Sequence, residues 1–204
     1  MRAEYEQRQE NNNRRRLKQA NFPFTKTIDE LDLSRYDGQI SDLFISELAS
    51  CRFIDEKKKL VMIGNPGRGK THMAIGIGLK ACAGGKSVLF KNAASLSTEL
   101  SEAKDNYALG KLEKRIQKVD LLIIDEMGYV SFDRFQSELL FKVIADRSEH
   151  GSTIVTTNPA FSEWTNLFEN TAMAAALVDR LTFRFYVLDM NEDSYRLDHS
   201  KNSA

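Results

Sequence analysis

Residues 61–75 read VMIGNPGRGKTHMAI, and this stretch decides the fold class of the chain. An apolar run leads into Gly64, Gly69, Lys70 and Thr71, which match the pattern G-x-x-x-x-G-K-[ST], and a stretch of helical period follows. Glycines let the backbone curl so that successive N–H groups point at phosphate oxygens, and the start of a helix adds its positive end. The pattern therefore predicts a strand, a phosphate-binding loop and a helix, in that order.

The loop predicts a bound nucleoside triphosphate together with Mg²⁺. Lys70 is expected to reach the outer phosphates, and the hydroxyl of Thr71 is expected to ligate the metal ion. The further residues expected to contact the nucleotide are Asn65, Pro66, Gly67, Arg68, Gly69 and His72. The role of Arg68 does not follow from the pattern, so contact with phosphate, contact with a neighbouring subunit and a solvent-facing position all stay open.

Short apolar runs alternate with longer stretches of helical period along most of the chain. This alternation is typical of a parallel sheet covered on both faces, so we predict an α/β fold with five parallel strands. The predicted strands are residues 60–63, 88–90, 121–124, 153–155 and 183–188. A second glycine pattern, GIGLKA, falls inside the helix after the loop, so we interpret Gly76 and Gly78 as small residues that let this helix pack against the sheet.

Four regions are predicted along the chain. Residues 1–20 carry six Lys and Arg residues against three Glu residues, and are expected to form a basic arm or an exposed helix. Residues 21–58 are expected to dock onto the domain and to include a lead-in helix. In that helix, from Asp42 to Phe53, the apolar face is formed by Leu43, Phe44, Leu48 and Phe53. Residues 59–190 form the core, and the tail 191–204 is too short for a sizeable lid domain.

The composition narrows the class of protein. Lys plus Arg and Asp plus Glu both number 29, so any contact with nucleic acid has to come from local clusters. Cys51 and Cys82 form no metal-binding pattern, which favours two structural thiols in a reducing compartment. No apolar run reaches the ~18 residues of a membrane span, and no signal peptide is evident, so we expect a cytoplasmic protein without a membrane partner.

An acidic pair follows the third apolar run, where VDLLIIDE ends in Asp125 and Glu126. Ligands of open α/β sheets gather at the carboxyl ends of the strands, so Asp125 is expected to hold the same Mg²⁺ as Thr71. Glu126 is expected to orient or deprotonate the water that attacks the γ-phosphate. The pair therefore predicts hydrolysis of the triphosphate as well as its binding.

The fourth apolar run ends in Thr156, Thr157 and Asn158, within STIVTTNPAF. A neutral polar side chain beside the metal-binding strand suits contact with the γ-phosphate or with the attacking water. Asn before Pro is also a common turn former. Because the phosphate loop and the acidic pair are both present, we interpret Asn158 as a catalytic residue.

With these motifs the chain resembles the AAA+ ATPases, in particular the group that includes the DnaA initiator and the DnaC helicase loader. It is most similar to the IstB-like helper ATPases of insertion-sequence transposition, whose blocks occur in order from about residue 14 to 197. The blocks are FPFTKTIDELDLS, GNPGRGKTHMAIGIGLKAC, DLLIIDEMGYVSFDRFQSELLFKVIADR, GSTIVTTNPAFSEWTNLF, MAAALVDRL and SYRL. The resemblance implies a P-loop NTPase of the AAA+ type, an αβα sandwich around a parallel five-stranded sheet.

The resemblance also implies roles for individual residues. The Walker A motif is matched by Gly64, Gly69, Lys70 and Thr71, the Walker B motif by Asp125 and Glu126, and the sensor I position by Asn158. Arg180 matches the arginine finger that the family donates to the ATP of a neighbouring subunit, which implies a homo-oligomer. A cation that complements the helix dipole is the alternative interpretation of Arg180. Arg196, in SYRL, is a candidate second contact to the phosphates.

Two clusters of basic residues are candidate DNA contacts. The segment between the second and third predicted strands is long enough for two helices, like the extra helix of the initiator group. The first cluster lies within this segment and consists of Lys111, Lys114, Arg115 and Lys118, and the second cluster is Arg14, Arg15 and Arg16. Repeated along stacked subunits, such cations would bind phosphates without sequence preference and with strong salt dependence. A solvated helix face is the alternative interpretation.

These features together predict an Mg²⁺-dependent ATPase that oligomerises on duplex DNA and assists a transposase in selecting or remodelling target DNA. A DnaC-type loader of a replicative helicase is the alternative, because it shares the ATPase residues but acts on single-stranded DNA. A small-molecule kinase would need an acceptor pocket and a lid, and the sequence shows neither. A GTPase would need the N-K-x-D motif, which does not occur.

Overall fold

A parallel sheet forms the centre of the computed structural model, which describes residues 2–31, 41–168 and 171–191. Its strands are β1 (Lys59–Ile63), β2 (Val88–Asn92), β3 (Leu121–Met127), β4 (Ser152–Thr157) and β5 (Phe185–Asp189). Their spatial order is β2-β3-β4-β1-β5, and every neighbouring pair is parallel. The prediction of an α/β fold with five parallel strands is confirmed.

Helices cover both faces of this sheet. They are α1 (Arg2–Ala20), α2 (Asp42–Ala49), α3 (Arg52–Asp55), α4 (Lys70–Ala83), α5 (Ala93–Asp105), α6 (Leu109–Lys118), α7 (Arg134–Arg147) and α8 (Thr171–Thr182). Short 3₁₀ segments occur at Ile28–Glu30 and Phe161–Asn166. Helices α1 to α4 contribute to the core on one face, and α5 to α8 contribute to the core on the other.

Successive strand residues supply these two cores in turn. Ile123 in β3 faces the core beneath α4, whereas Leu122 and Ile124 face the core beneath α5 to α8. This alternation is the two-residue period of an extended strand. Burial on both faces explains why the strands read as continuous apolar runs in the sequence.

The largest differences from the predicted strands occur in β3 and β5. β3 continues past Ile124 to Met127, so the acidic pair lies within the strand, at an irregularity in its pairing with β4. β5 begins at Phe185, because Phe183 is 53% exposed and Arg184 has a left-handed φ of 52°. A turn therefore precedes β5. The apolar pattern did not predict this turn, because an exposed phenylalanine contributes to the pattern in the same way as a buried one.

The predicted lead-in helix from Asp42 to Phe53 is wrong in its length and in part of its buried face. α2 ends at Ala49, Cys51 has a left-handed φ of 59°, and α3 follows as a separate turn. Leu43 is 81% exposed, and Ile45 is buried in its place. The other three residues of the predicted apolar face, Phe44, Leu48 and Phe53, are buried. In one continuous helix residues 44 and 53 would lie about half a turn apart, so the break lets both face the core.

The N-terminal residues pack on the same face as α4. The outer part of α1 is exposed, but Ala20 at its end is fully buried. Arg16 Nη1 donates a hydrogen bond to the carbonyl oxygen of Cys82 in α4 (3.3 Å). The chain then continues along α4, where Ile28 is buried.

Gly76 and Gly78 allow this N-terminal segment to approach α4 closely. A Cβ atom at Gly76 would lie 2.7 Å from the backbone nitrogen of Ile28, and one at Gly78 would lie 2.8 Å from the ring of Phe22. A Cβ atom at Gly78 would also lie 3.0 Å from Ile123 in β3. The interpretation that both glycines serve packing against the sheet is therefore right for Gly78 and wrong for Gly76, which instead makes room for the segment at Ile28.

Arg196 and the rest of residues 192–204 lie outside the part of the chain that the structure describes. Within the described ranges no helix or strand follows β5. The described helices include none with the length and apolar character that crossing a membrane requires.

Gly76→Ala is expected to lower the free energy of unfolding by about 1–3 kcal/mol, because the added methyl group would push the backbone at Ile28 away from α4. Gly110→Ala is the matched control. Gly110 lies in α6 with open space around its Cβ position, so the same change is expected to stabilise the protein by about 0.5–1 kcal/mol. Chemical denaturation measures both variants, and equal stabilities would contradict the close packing at Gly76.

Candidate nucleotide-binding site

The phosphate loop connects β1 to α4 at the carboxyl edge of the sheet. Gly67 and Gly69 have left-handed φ values of 80° and 82°, which residues with side chains rarely adopt. Gly69 is the N-cap of α4, and the helix begins at Lys70. The N–H groups of the first helical turn have no acceptor within the helix, so they are suited to bind phosphate oxygens.

Lys70 lies folded against this loop. Its side chain is buried, and Nζ donates hydrogen bonds to the carbonyl oxygens of Gly64 and Asn65 and to Asn158 Oδ1 (2.9 Å). Burial lowers the pKa of the Lys70 ammonium, and the nearby carboxylates act in the opposite direction. An ammonium held by neutral oxygens is placed to exchange them for the charged oxygens of a triphosphate, which are stronger acceptors.

Thr71 and Asp125 form the predicted metal-binding pair. The Thr71 hydroxyl donates to the Asp125 carboxylate, with distances of 2.9 Å to Oδ1 and 3.2 Å to Oδ2. Both groups supply hard oxygen ligands of the kind that Mg²⁺ prefers. Among the described residues no cluster of three or more His, Cys, Asp or Glu side chains could hold a metal ion. The Thr71 and Asp125 oxygens fit an Mg²⁺ ion that takes its remaining ligands from water and phosphate, as Mg²⁺ usually does.

Glu126 is held by Asn92, a residue that the sequence did not single out. Asn92 Nδ2 donates to Glu126 Oε2 (2.7 Å), and the side-chain oxygen of Asn92 caps α5. Glu126 has a left-handed φ of 59°, an uncommon conformation for a residue with a side chain. In the sheet, Asn92 at the end of β2 lies opposite Asp125 in β3. The contact thus arises from strand pairing, and a polar residue at a strand end was the only signal for it.

Thr156 connects the two acidic residues. Its hydroxyl donates to Asp125 Oδ1 (2.6 Å) and accepts a hydrogen bond from the backbone N–H of Glu126 (2.9 Å). The residue is fully buried at the carboxyl end of β4. The sequence indicated a polar end of this strand, but it did not indicate that Thr156 positions both acids.

A cavity of about 890 Å³ opens in front of the loop. The predicted residues that line it are Pro66, Gly67, Arg68, Gly69, Lys70, Thr71, His72, Glu126 and Asn158. The residues that line it without having been predicted are Lys26, Glu30, Leu31, Tyr129 and Thr156. Ligand clefts generally span about 300–1,000 Å³, so the cavity is large enough for a nucleoside triphosphate.

The segment after α1 forms one wall of this cavity. A hydrogen bond joins His72 Nε2 to the carbonyl oxygen of Thr27 (2.8 Å). The N–H and hydroxyl groups of Thr27 donate to the Glu30 carboxylate, which lowers the pKa of Glu30. The backbone N–H of Asn65, which is also predicted to contact the nucleotide, donates to Asn191 Oδ1 (2.6 Å), just beyond β5. The base of the loop is therefore fastened to the end of β5.

Arg180 does not lie at the cavity of its own chain. It lines a separate groove with Lys118, which precedes β3, and Ser148, which precedes β4. These positions mark the amino edge of the sheet, whereas the loop and the acidic pair lie at the carboxyl edge. Strands of five to seven residues at about 3.3 Å per residue separate the two edges by roughly 15–20 Å. The side chain of Arg180 is too short to cross that distance.

Residues from both predicted basic clusters border the same groove. The cations that border one groove of about 1,000 Å³ are Arg16, Lys111, Lys114, Arg115 and Lys118. Arg14 pairs with Glu10 (2.7 Å), and Arg15 is exposed. Lys114 and Lys118 also line the groove that contains Arg180. One helix, α6, thus borders both the basic surface and the groove of Arg180.

Comparison with known protein families agrees with a nucleotide-binding site at the phosphate loop. The family model described as IstB-like ATP binding protein matches residues 1–203. A relative from Geobacillus stearothermophilus, named as an ATP-binding protein of insertion sequence IS5376, is 39% identical over 184 residues, which are 89% of this chain and 72% of the relative. The corresponding IS21 protein of Pseudomonas aeruginosa is 34% identical over 189 residues, with coverage of 93% and 71%.

Solved structures share the fold. The DnaC helicase loader superposes with a TM-score of 0.61 at 22% identity and covers 72% of this chain and 86% of its own. AMPPCP-bound DnaA from Aquifex aeolicus has a TM-score of 0.68 at 14% identity, with coverage of 84% and 51%. The predicted fold class is thereby confirmed.

Thr156→Val is expected to lower the rate of ATP hydrolysis by about 10–100-fold, because it removes both hydrogen bonds that position the acidic pair. The same change leaves buried polar groups unpaired, at a cost of about 1–3 kcal/mol in folding stability. Thr153→Val, three residues earlier in β4, is the isosteric control. Steady-state ATPase assays beside denaturation curves distinguish the two effects. Unchanged turnover with reduced stability would restrict Thr156 to a structural role.

Proposed function

The chain belongs to the family of IstB-like ATP binding proteins, and from this premise we propose that it is an Mg²⁺-dependent ATPase that oligomerises on DNA and assists a transposase. The observation that carries the proposal is a hydrogen-bond network at the carboxyl edge of the sheet. In this network Lys70 donates to Asn158, and Thr71 donates to Asp125. A triphosphate on the loop would lie against all four side chains. The names of the relatives, which pair ATP binding with insertion sequences, support the transposition role.

The loop binds and orients the triphosphate in this proposal. Backbone N–H groups at the start of α4 contact the phosphates, and Lys70 transfers its hydrogen bonds from loop carbonyls to phosphate oxygens. Thr71 and Asp125 hold the Mg²⁺ ion, which supplies positive charge that neutralises the phosphate oxygens. The mutual contact of these two side chains keeps the metal ligands aligned with the loop.

Glu126 acts on the attacking water, and Asn158 acts on the γ-phosphate. The Glu126 carboxylate lines the cavity and serves as the group that orients this water and accepts its proton. Asn92 and Thr156 position Glu126 through its side chain and its backbone N–H. Asn158 already touches Lys70 through Oδ1, and its amide nitrogen is a donor suited to the γ-phosphate.

Completion of the active site requires a second copy of the chain. An arginine finger raises the rate of phosphoryl transfer by about 10³–10⁵, because it stabilises the charge of the transition state. Arg180 lies at the amino edge of the sheet, too far from the phosphate loop of its own chain. We infer a head-to-tail oligomer in which each Arg180 reaches the triphosphate of the next copy.

DNA contact is assigned to the exposed cations of α6. Glu113, the one acidic residue of this helix, pairs with Lys142 of α7 (2.7 Å). Ile116 is buried and fixes α6 on the core, so the cations face outward. From α1, Arg16 borders the same groove and is hydrogen-bonded to α4, whereas Arg14 pairs with Glu10. Such a surface suits duplex DNA bound without sequence preference.

Arg180→Ala and Glu126→Gln are each expected to lower DNA-stimulated ATPase activity by about 10³-fold or more. An equimolar mixture of the two variants is expected to regain activity, because some interfaces then join an intact Glu126 to an intact Arg180. Steady-state ATPase assays of each variant and of the mixture, at several protein concentrations, measure this recovery.

Arg52→Ala, which removes an exposed cation from α3, is the control for nonspecific charge effects. Full activity of Arg180→Ala at every concentration would contradict the shared active site. A mixture of the two variants that regains no ATPase activity would also contradict the shared active site.

Lys111→Gln/Arg115→Gln is expected to weaken duplex DNA binding and to reduce the slope of log K against log salt concentration by about 2, since each phosphate contact contributes about 0.9. The matched control is Arg52→Gln/Lys57→Gln, which removes two exposed cations elsewhere. Fluorescence anisotropy at several salt concentrations measures both variants. An unchanged slope would contradict the assignment of the DNA contacts to α6.

The ATPase rate in the presence of duplex DNA and of single-stranded DNA tests the alternative function. Much stronger stimulation by single-stranded DNA would favour a helicase loader.

A further inference from the structure

Exposed apolar side chains mark two opposite edges of the sheet. Most large apolar residues of the described chain are buried, but Tyr129 is 74% exposed and Val130 is 40% exposed. Both follow the acidic pair at the carboxyl edge, and Tyr129 lines the nucleotide cavity. At the amino edge, Phe183 is 53% exposed between Arg180 and Arg184. Tyr129 and Val130 adjoin each other, and adjoining exposed apolar side chains are one mark of a contact surface.

The amino-edge residue Phe183 is held in place by its surroundings. Its carbonyl oxygen accepts a hydrogen bond from Lys59 Nζ (3.1 Å), which also donates to the carbonyl oxygen of Ser148 in the Arg180 groove. The Lys59 ammonium lies 5.3 Å from the centre of the Phe183 ring, and the Arg184 guanidinium lies 5.7 Å from it. Phe183 is thus an exposed ring with two cations beside it.

The carboxyl-edge residue Tyr129 is fixed by a turn. Its backbone N–H donates to the carbonyl oxygen of Glu126 (3.2 Å), and Gly128 has a left-handed φ of 98°. A Cβ atom at Gly128 would lie 2.8 Å from Pro159, so this turn packs tightly on the segment after β4. The aromatic ring therefore projects from a rigid support beside the acidic pair.

The spacing of these residues matches on the two edges. Arg180 lies in the last turn of α8, and Phe183, three residues later, directly follows that helix, so the two residues are close together. Glu126 and Tyr129 are also three residues apart, and the ends of a β-turn lie within about 7 Å of each other. An Arg180 that reaches a triphosphate beside Glu126 of another copy would bring Phe183 to the surface of that copy on which Tyr129 lies.

The geometry points to a specific contact between copies of this chain, in which Phe183 of one copy packs against Tyr129 and Val130 of the next. This contact rests on the proposed donation of Arg180 to a neighbouring active site. The two surfaces lie on opposite edges, so the contact is head-to-tail and repeats from copy to copy. Arg180 and Arg184 flank Phe183 in the sequence, whereas Asp125 and Glu126 precede Tyr129.

A crosslinking experiment between two singly substituted variants tests the contact. Tyr129→Cys and Phe183→Cys are mixed with ATP, Mg²⁺ and duplex DNA and treated with a short bis-maleimide, because a disulfide tolerates only Cα separations within about 7 Å. The natural thiols of Cys51 and Cys82 are buried, and burial raises the pKa of both to about 11, so they react little. A covalent dimer is expected in the mixture and not with either variant alone. Tyr107→Cys mixed with Phe183→Cys is the control, since Tyr107 is fully exposed on another surface.

Loss of the aromatic ring provides a second measurement. Phe183→Ala is expected to raise the protein concentration that gives half-maximal ATPase activity by about tenfold or more, with turnover restored at high concentration. Recovery at high concentration separates weakened assembly from misfolding.

The outcomes separate this contact from the proposed function. A dimer formed equally by the Tyr107→Cys control, or by one variant alone, would overturn the contact. Absence of the dimer while Arg180→Ala and Glu126→Gln still restore each other's activity would overturn the contact alone. Absence of the dimer together with failure of that restoration would overturn the shared active site as well.

Discussion

The carboxylate of Asp125 is the group on which the rest of the site depends. It accepts hydrogen bonds from Thr71 at the start of α4 and from Thr156 at the end of β4, so one side chain joins the loop helix to two strands. A buried carboxylate requires such donors, because an unpaired buried charge is costly. The same oxygens suit Mg²⁺, so the alignment of the loop and the capacity for metal binding rest on one group.

The direction of the strands imposes the second constraint. In a sheet whose strands are all parallel, the residues that follow the strands gather at one edge, and the residues that precede them gather at the other. The phosphate loop and Glu126 lie at the first edge, and Arg180 lies at the second. Within the proposed function, this separation makes hydrolysis depend on assembly, since the two halves of the site meet only between copies.

The sequence predicted some features well and others poorly, for identifiable reasons. The phosphate loop and the acidic pair were readable because each is a short pattern attached to a buried strand. The lead-in helix was predicted too long, since its apolar period does not show the left-handed turn at Cys51. The start of β5 was misplaced because Phe183 reads as apolar although it is exposed. Gly76 was assigned to sheet packing because its partner at Ile28 is remote in sequence.

The sequence by itself determined the α/β class, the nucleotide loop, the acidic pair and the resemblance to one family, because all of these rest on spacing and period along the chain. Only the tertiary structure decided that Asn92 and Thr156 hold the acidic residues, and that Lys26 and Leu31 form a wall of the cavity. It also decided that Arg180 lies at the far edge of the sheet. The contacts of Asn92 and Thr156 follow from the strand order, in which β3 lies between β2 and β4, and that order is set by packing of the whole chain and not by any local pattern.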